Sequence, residues 1–115
     1  MTIALAENQA DAHAAVNRLT IGELEKDVAG ASDVTLTDTE AQYDCLIFSG
    51  TLTGSISVIV PAEDKGWWIE NATSGAFTLT VKKSGGTGVA VTQGNRVYLR
   101  YSTYSADVVA FTAEL

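Results

Sequence analysis

The stretch FSGTLTGSISVIVP, Phe48 to Pro61, carries an alternating pattern in which Ile56, Val58 and Val60 are separated by Ser57 and Ile59. Such alternation is typical of a β-strand with one face in the core. The pattern recurs, in shorter form, at SGAFTLTV, Ser74 to Val81. Two similar strands with glycines before them indicate a β-rich domain.

The second face of these two strands is mostly hydroxyl or aliphatic, where a solvated strand usually carries Lys and Glu. The hydroxyls are Ser55, Ser57, Thr78 and Thr80. Serine and threonine lose little side-chain entropy when they are ordered, and threonine suits extended backbone, but both solubilise a surface poorly. We therefore expect a neighbouring subunit to cover this face, so that the four hydroxyls are more buried in an assembly than in an isolated chain.

Period-two patterning continues to the end of the chain, with β-branched and aromatic residues bounded by Gly, Asn, Ser or Pro. The predicted strands are 34–37, 44–48, 55–60, 66–71, 76–82, 89–91, 96–101 and 107–111. Glycine turns are expected at SGGTG (Ser84 to Gly88) and QGN (Gln93 to Asn95). The predicted fold is mainly β, with a small antiparallel β-sandwich or barrel-like roll over residues 33–115.

Residues 1–30 have a different character, rich in Ala, Glu, Gln and Leu and free of proline. This composition favours an α-helix. Residues spaced alternately four and three positions apart form a narrow stripe along this segment. The stripe predicts a helical anchor or oligomerisation segment that packs against copies of itself. The stripe consists of Leu5, Gln9, Ala12, Val16 and Leu19. A bend is expected near Gly22.

Charge and composition exclude several classes of partner. The 115-residue chain has 7 Lys and Arg against 14 Asp and Glu, a net charge of -7, which leaves no basic patch for nucleic acid. Its apolar runs are far shorter than the roughly 20 residues that cross a bilayer, and the start lacks the features of a secretory signal. We therefore expect no nucleic-acid or membrane partner and synthesis in the cytoplasm. A single cysteine, Cys45, permits no internal disulfide and is interpreted as a buried small hydrophobe.

No set of residues predicts catalysis, a cofactor or a metal. His13 has no nucleophile placed beside it in sequence, and it is interpreted as a polar helix contact near Asn17. Acidic residues cluster at 33–44 and 63–64, where turns are expected, so loop acids are favoured over a glycosidase pair. The glycines of SGGTG lack the lysine and helix of a phosphate loop.

Aromatic residues supply the remaining candidates. Trp67 and Trp68 are adjacent in a predicted strand, so one should fill the core and the other should face outward. An outward tryptophan, with the tyrosines near the C-terminus, could pack on a neighbour or stack on a sugar, and packing is favoured. The predicted interaction residues are Gln9, His13, Val16, Asn17, Leu19, Trp67, Trp68, Tyr98 and Tyr101.

The order of glycines, asparagine and aromatics in LTGSISVIVPAEDKGWWIENATSGAFTLTVKKSGGTGVAVTQGNRVYLRY, Leu52 to Tyr101, resembles β-rich segments of virion structural proteins of tailed bacteriophages. The N-terminal NQA at residues 8–10, with His13 and Asn17, resembles the helix that opens many fibre proteins of such phages, although Arg18 and Leu19 depart from the usual pattern. The resemblance implies a non-enzymatic virion part, trimeric and anchored by one end.

The predicted function is therefore a capsid decoration or head-fibre subunit, trimeric on the particle surface and in contact with other virion proteins. A short tail-fibre or baseplate-associated subunit is one alternative. A carbohydrate-binding module is another, with a host-surface glycan as the partner.

Overall fold

The computed structural model describes residues 22–114, which form nine β-strands in two sheets. The strands are β1 Glu23–Asp27, β2 Val34–Thr35, β3 Cys45–Thr51, β4 Ile56–Val60, β5 Lys65–Ser74, β6 Leu79–Lys83, β7 Val89–Val91, β8 Arg96–Ser102 and β9 Asp107–Ala110. One sheet has five strands in the order β1-β3-β5-β8-β9, and the other has four in the order β2-β4-β6-β7. Among the described residues, the one helical segment is a 3₁₀ turn at Glu40–Gln42.

The first six strands alternate between the two sheets, so the chain winds in coils rather than in hairpins. β1, β3 and β5 pair in parallel in one sheet, while β2, β4 and β6 pair in parallel in the other. Partners along these ladders are 22 to 24 residues apart, as in Glu23 opposite Cys45 and Val34 opposite Val58. This part of the fold is a short parallel β-solenoid with a repeat of about 23 residues.

The winding ends after β6, where the chain reverses direction. β7 pairs antiparallel with β6, β8 pairs antiparallel with β5, and β9 pairs antiparallel with β8. Gly88 lies at the reversal before β7 with a φ of 71°, and a Cβ there would collide with the carbonyl oxygen of Val81. Glycine is therefore required at this reversal.

The core lies between the sheets and is built from columns of side chains stacked from one coil to the next. Leu24, Leu46, Ile69 and Val97 share one column, and the last three of these are almost fully buried. In the four-stranded sheet, valines occupy successive strands in a second column. Burial of each such side chain contributes about 1.5–3 kcal/mol to folding.

Asn71 is a fully buried polar side chain inside this apolar core. Its Nδ2 donates to the Val91 carbonyl at 2.7 Å, and its Oδ1 accepts from the backbone N–H and the hydroxyl of Thr73. Every polar atom of the side chain therefore has a partner, and the amide ties β5 to β7 across the two sheets.

The corner between β2 and β3 is held by a reciprocal pair of hydrogen bonds. The Glu40 carboxylate accepts from the Thr37 N–H while the Thr37 hydroxyl accepts from the Glu40 N–H, as in a capping box. The other carboxylate oxygen accepts from Lys26 Nζ at 2.8 Å. The corner thereby clamps the edge strand β1.

The fold prediction is confirmed in its mainly β content and wrong in two respects. The sheets are mixed rather than antiparallel, because coils set strands of successive turns side by side in the same direction. The N-terminal helix is also wrong: its last part, Glu23–Asp27, is strand β1, and the described residues contain no α-helix. Pairing with β3 overrides the helix-forming composition there. Residues 1–21 of the predicted helical segment lie outside the described residues.

Replacement of Asn71 tests the buried amide. We expect Asn71→Ala to lower the free energy of unfolding by about 2–4 kcal/mol, because the Val91 carbonyl and the Thr73 N–H lose their partners in a dry environment. Urea denaturation measures the change. The matched control is Asn95→Ala, which removes one hydrogen bond to exposed Glu114 and should cost less than about 1 kcal/mol. Equal losses for the two variants would contradict this role.

The Glu40 clamp predicts a pH dependence of stability. The hydrogen bond from Lys26, followed by that from the Thr37 backbone, lowers the pKa of Glu40 below its ordinary value of 4.5. A lowered pKa stabilises the fold above pH 4.5, and this contribution is lost as the pH falls through the folded value. We expect Glu40→Gln to cost about 0.5–1 kcal/mol at pH 7 and less at pH 3. A difference from wild type that does not shrink on acidification would contradict the clamp.

Candidate interaction surfaces

The two tryptophans lie on opposite faces of β5. Trp67 is buried, and its Nε1 donates to the Ala41 carbonyl at 2.9 Å, so it belongs to the core. Trp68 points outward from the five-stranded sheet and is 39% exposed. Strand alternation thus separates the pair as expected, and Trp68 is the residue available to a partner.

Trp68 begins a row of aromatic rings on the outer face of this sheet. Its ring centroid lies 5.4 Å from that of Tyr98 on β8, and Tyr98 lies 6.3 Å from Phe111, which follows β9. Phe111 is 60% exposed. The tilted and edge-on contacts are the geometries that aromatic pairs prefer. The row is therefore an ordered feature of the sheet surface.

Gly66 positions Tyr98 within the row. Gly66 lies two residues before Trp68 on the same face of β5, and a Cβ at this position would collide with the hydroxyl and ring of Tyr98. The tyrosine ring consequently lies over the bare glycine backbone. An aromatic side chain that covers a glycine on the neighbouring strand is a known way of stabilising a sheet.

A hollow of about 280 Å³ opens on the other side of Trp68. Glu23, Cys45 and Trp68 are direct neighbours on β1, β3 and β5, so the short cysteine lies between two longer side chains. Glu70 and Arg96 complete the lining. The hollow exists because Cys45 is the smallest member of its row.

Charges of both signs face this hollow. Arg96 Nε lies 3.6 Å from Glu70 Oε1, with the arginine side chain 60% exposed. Burial, and then the carboxylates of Glu23 and Glu70, raise the pKa of the Cys45 thiol. The thiol is therefore neutral at pH 7, and Cys45 is a half-buried floor residue rather than a nucleophile.

The outer face of the four-stranded sheet differs in charge and size. Its outward positions form two rows, Thr35-Ile59-Lys82 and Ser57-Thr80-Ala90, which we call the neutral face. No acidic residue occupies these positions. Lys82 is the one charged member. A groove of about 380 Å³ adjoins the face, and beside it Phe77 is 42% exposed.

Several hydroxyls of the opening motif are tied into local structure. The Ser55 Oγ accepts from the Thr78 N–H at 3.2 Å, and both residues are exposed. Ser57 and Thr80 are half-buried neighbours in the middle of the neutral face. Their burial in an assembly remains a prediction.

The structure separates the predicted interaction residues into three groups. Trp68 and Tyr98 meet on the outer face, whereas Trp67 and Tyr101 are buried in the core. The other predicted residues lie outside the described part of the chain: Gln9, His13, Val16, Asn17 and Leu19.

Members of the acidic clusters accept hydrogen bonds from backbone N–H groups or pair with a lysine. Asp33 accepts from the Ser57 N–H, and Asp64 accepts from the Thr103 N–H. Asp44 lies 3.4 Å from Lys65 Nζ.

Within residues 22–114, no group of three or more His, Cys, Asp or Glu side chains is arranged to hold a metal ion. The amide of Asn71, which begins an N-x-T pattern, is occupied inside the core and offers no exposed attachment point for a glycan.

Sequence reasoning did not identify Gly66, Glu70, Arg96 and Phe111 as parts of a surface site. Gly66, Glu70 and Arg96 come together through the pairing of β5 with β8, and Phe111 joins them through the pairing of β8 with β9, which sequence order does not specify. The alternation WWIEN did place Glu70 on the same strand face as Trp68, and that pattern could have identified it.

Comparisons with protein-family models, with curated proteins and with solved structures give no match to this chain. In the described range, no helix is long and apolar enough to cross a membrane.

The packing of Tyr98 over Gly66 can be tested by adding a side chain at Gly66. We expect Gly66→Ala to displace the Tyr98 ring, to lower stability by about 1–2 kcal/mol, and to shift tryptophan emission to longer wavelength as Trp68 becomes more exposed. In a Tyr98→Ala background the same methyl group has room, so the two substitutions should be non-additive in a double-mutant cycle. Additive effects on stability would show that Gly66 does not position the Tyr98 ring.

Proposed function

We propose that this chain is a non-enzymatic structural subunit that assembles with copies of itself, as a homotrimer, on the surface of a bacteriophage particle. The observation that carries the proposal is the neutral face, whose outward positions hold hydroxyls, small aliphatics and one lysine.

Electrostatics favour this face as the contact between copies. A chain of net charge -7 repels its copies wherever acidic surfaces meet. The edge strand β1 presents exposed Glu23, Glu25 and Asp27, so it is a poor contact. The six positions of the neutral face hold no carboxylate, and Asp33, beside Ser57, is an acid at its margin. The small side chains of the face lose little entropy on contact.

The neutral face alone is too small for a stable interface between copies. The four strands of this sheet have two to five residues, so the face covers at most roughly 17 by 14 Å, about 240 Å². A stable interface buries about 800 Å² per partner. The adjoining groove and exposed Phe77 would extend the contact, so we include them in the proposed interface.

The assignment to a virion rests on the resemblance of Leu52 to Tyr101 to phage structural segments, and this range includes β4 to β7 and most of β8. A coiled stack of strands joined by continuous ladders is a rigid unit that suits a particle surface. A capsid decoration or head fibre is the leading site, with other virion proteins as partners. A short tail-fibre or baseplate-associated subunit is the alternative.

A charge placed on the neutral face tests self-association. We expect wild type to sediment as a trimer and Thr80→Glu to weaken assembly by roughly tenfold or more, equivalent to about 1.4 kcal/mol, because each contact would bury an unpaired carboxylate. Analytical ultracentrifugation or native mass spectrometry measures the effect.

Two controls separate charge position from folding. Thr80→Val keeps the shape of the face, and Ala62→Glu adds the same charge on an exposed loop. Both variants should remain trimeric. A wild-type chain that stays monomeric at about 100 µM would overturn self-association, and failure to co-sediment with purified phage particles would overturn the virion assignment.

A further inference from the structure

We propose that the hollow beside Trp68 is a binding site for a neutral sugar ring of a glycan. The site lies on the five-stranded sheet, away from the neutral face, so this inference does not depend on the proposed self-association. Its parts are the Trp68 ring, the rim formed by Glu23, Glu70 and Arg96, and the Cys45 floor.

The Trp68 indole provides the apolar wall that a sugar requires. A pyranose ring has an apolar face of C–H groups, which stacks on an aromatic plane, and a rim of hydroxyls. Trp68 is 39% exposed and is braced on its other side by Tyr98, which lies over Gly66. The ring is thus held before a ligand arrives, and this reduces the entropy lost on binding.

The charged rim provides partners for the hydroxyls. Carboxylates only accept hydrogen bonds and guanidinium only donates them, whereas a sugar hydroxyl does both. Glu70 and Arg96 are 3.6 Å apart, too far for a tight hydrogen bond between them. Each therefore keeps hydrogen-bonding capacity for a ligand with adjacent hydroxyls.

Other ligand classes fit this lining less well. Two carboxylates against one guanidinium disfavour a phosphate or a nucleic acid. An apolar peptide would have to strip water from three charged groups and would offer them no hydrogen-bond partner. An added peptide strand finds no open edge here, because β3, β5 and β8 are paired on both sides. A quaternary ammonium ion would need the guanidinium to move away from the rim.

Glycan-array screening of the wild-type chain, followed by calorimetric titration of the best neutral oligosaccharide, tests the site. We expect binding that Trp68→Ala weakens at least tenfold. Cys45→Phe should weaken it similarly by filling the hollow while leaving Trp68 in place. Arg96→Met should also weaken it, since it removes donors but keeps the aliphatic stem.

The matched control is Tyr104→Ala, which removes a fully exposed aromatic ring on the turn before β9 and should leave binding unchanged. Thr80→Glu should also bind normally, which separates this site from the self-association interface. Urea denaturation of each variant confirms folding.

Three results would overturn the proposal. The first is no neutral glycan bound by the folded wild-type chain. The second is binding that survives both Trp68→Ala and Cys45→Phe. The third is saturation of the hollow by choline or inorganic phosphate with no response to sugars.

Discussion

The parallel register between successive coils is the constraint on which the rest of the structure depends. A residue in β3 has its neighbours in β1 and β5, 22 and 23 residues away, rather than across a local hairpin. Each inward position must therefore suit the residues above and below it. The column Lys26-Phe48-Asn71 shows the consequence: the buried ring lies between a cation neutralised by Glu40 and an amide satisfied by Thr73 and Val91.

The same register gives the two outer faces their different chemistry. In the five-stranded sheet, one outward row is Glu23-Cys45-Trp68-Tyr98 and the next is Glu25-Ile47-Glu70-Arg96. Charges and rings are thus gathered from four strands onto one surface. In the four-stranded sheet, the outward rows gather hydroxyls, aliphatics and one lysine instead. A slip of one residue in any strand would exchange core and surface, so packing of the core also fixes both faces.

Local pattern was enough to locate most strands but not to pair them. The predicted strand 89–91 matches β7, and 96–101 falls within β8, because alternation and glycine turns are local properties. Parallel and antiparallel strands share period two, so alternation cannot distinguish them. The similarity between Ile56–Val60 and the SGAFTLTV motif was the available clue to parallel pairing, since Ile56 pairs with Leu79 and Ser57 with Thr80. Likewise ELEKD has helix-forming composition, and only its pairing with β3 makes it a strand.

The edge strands of the two sheets bear on whether copies of the chain can associate by strand pairing. A coil stack with bare edges would extend by strand pairing with another copy. Here the turn into β7 ends the parallel ladder of the four-stranded sheet, and β8 and β9 end that of the five-stranded sheet. At the other end, β1 carries three exposed acids and an inward lysine paired with Glu40, which oppose pairing with a like-charged edge. Edge-to-edge growth is thereby disfavoured at β1. Of the two sheet faces, the neutral one carries the fewest like charges.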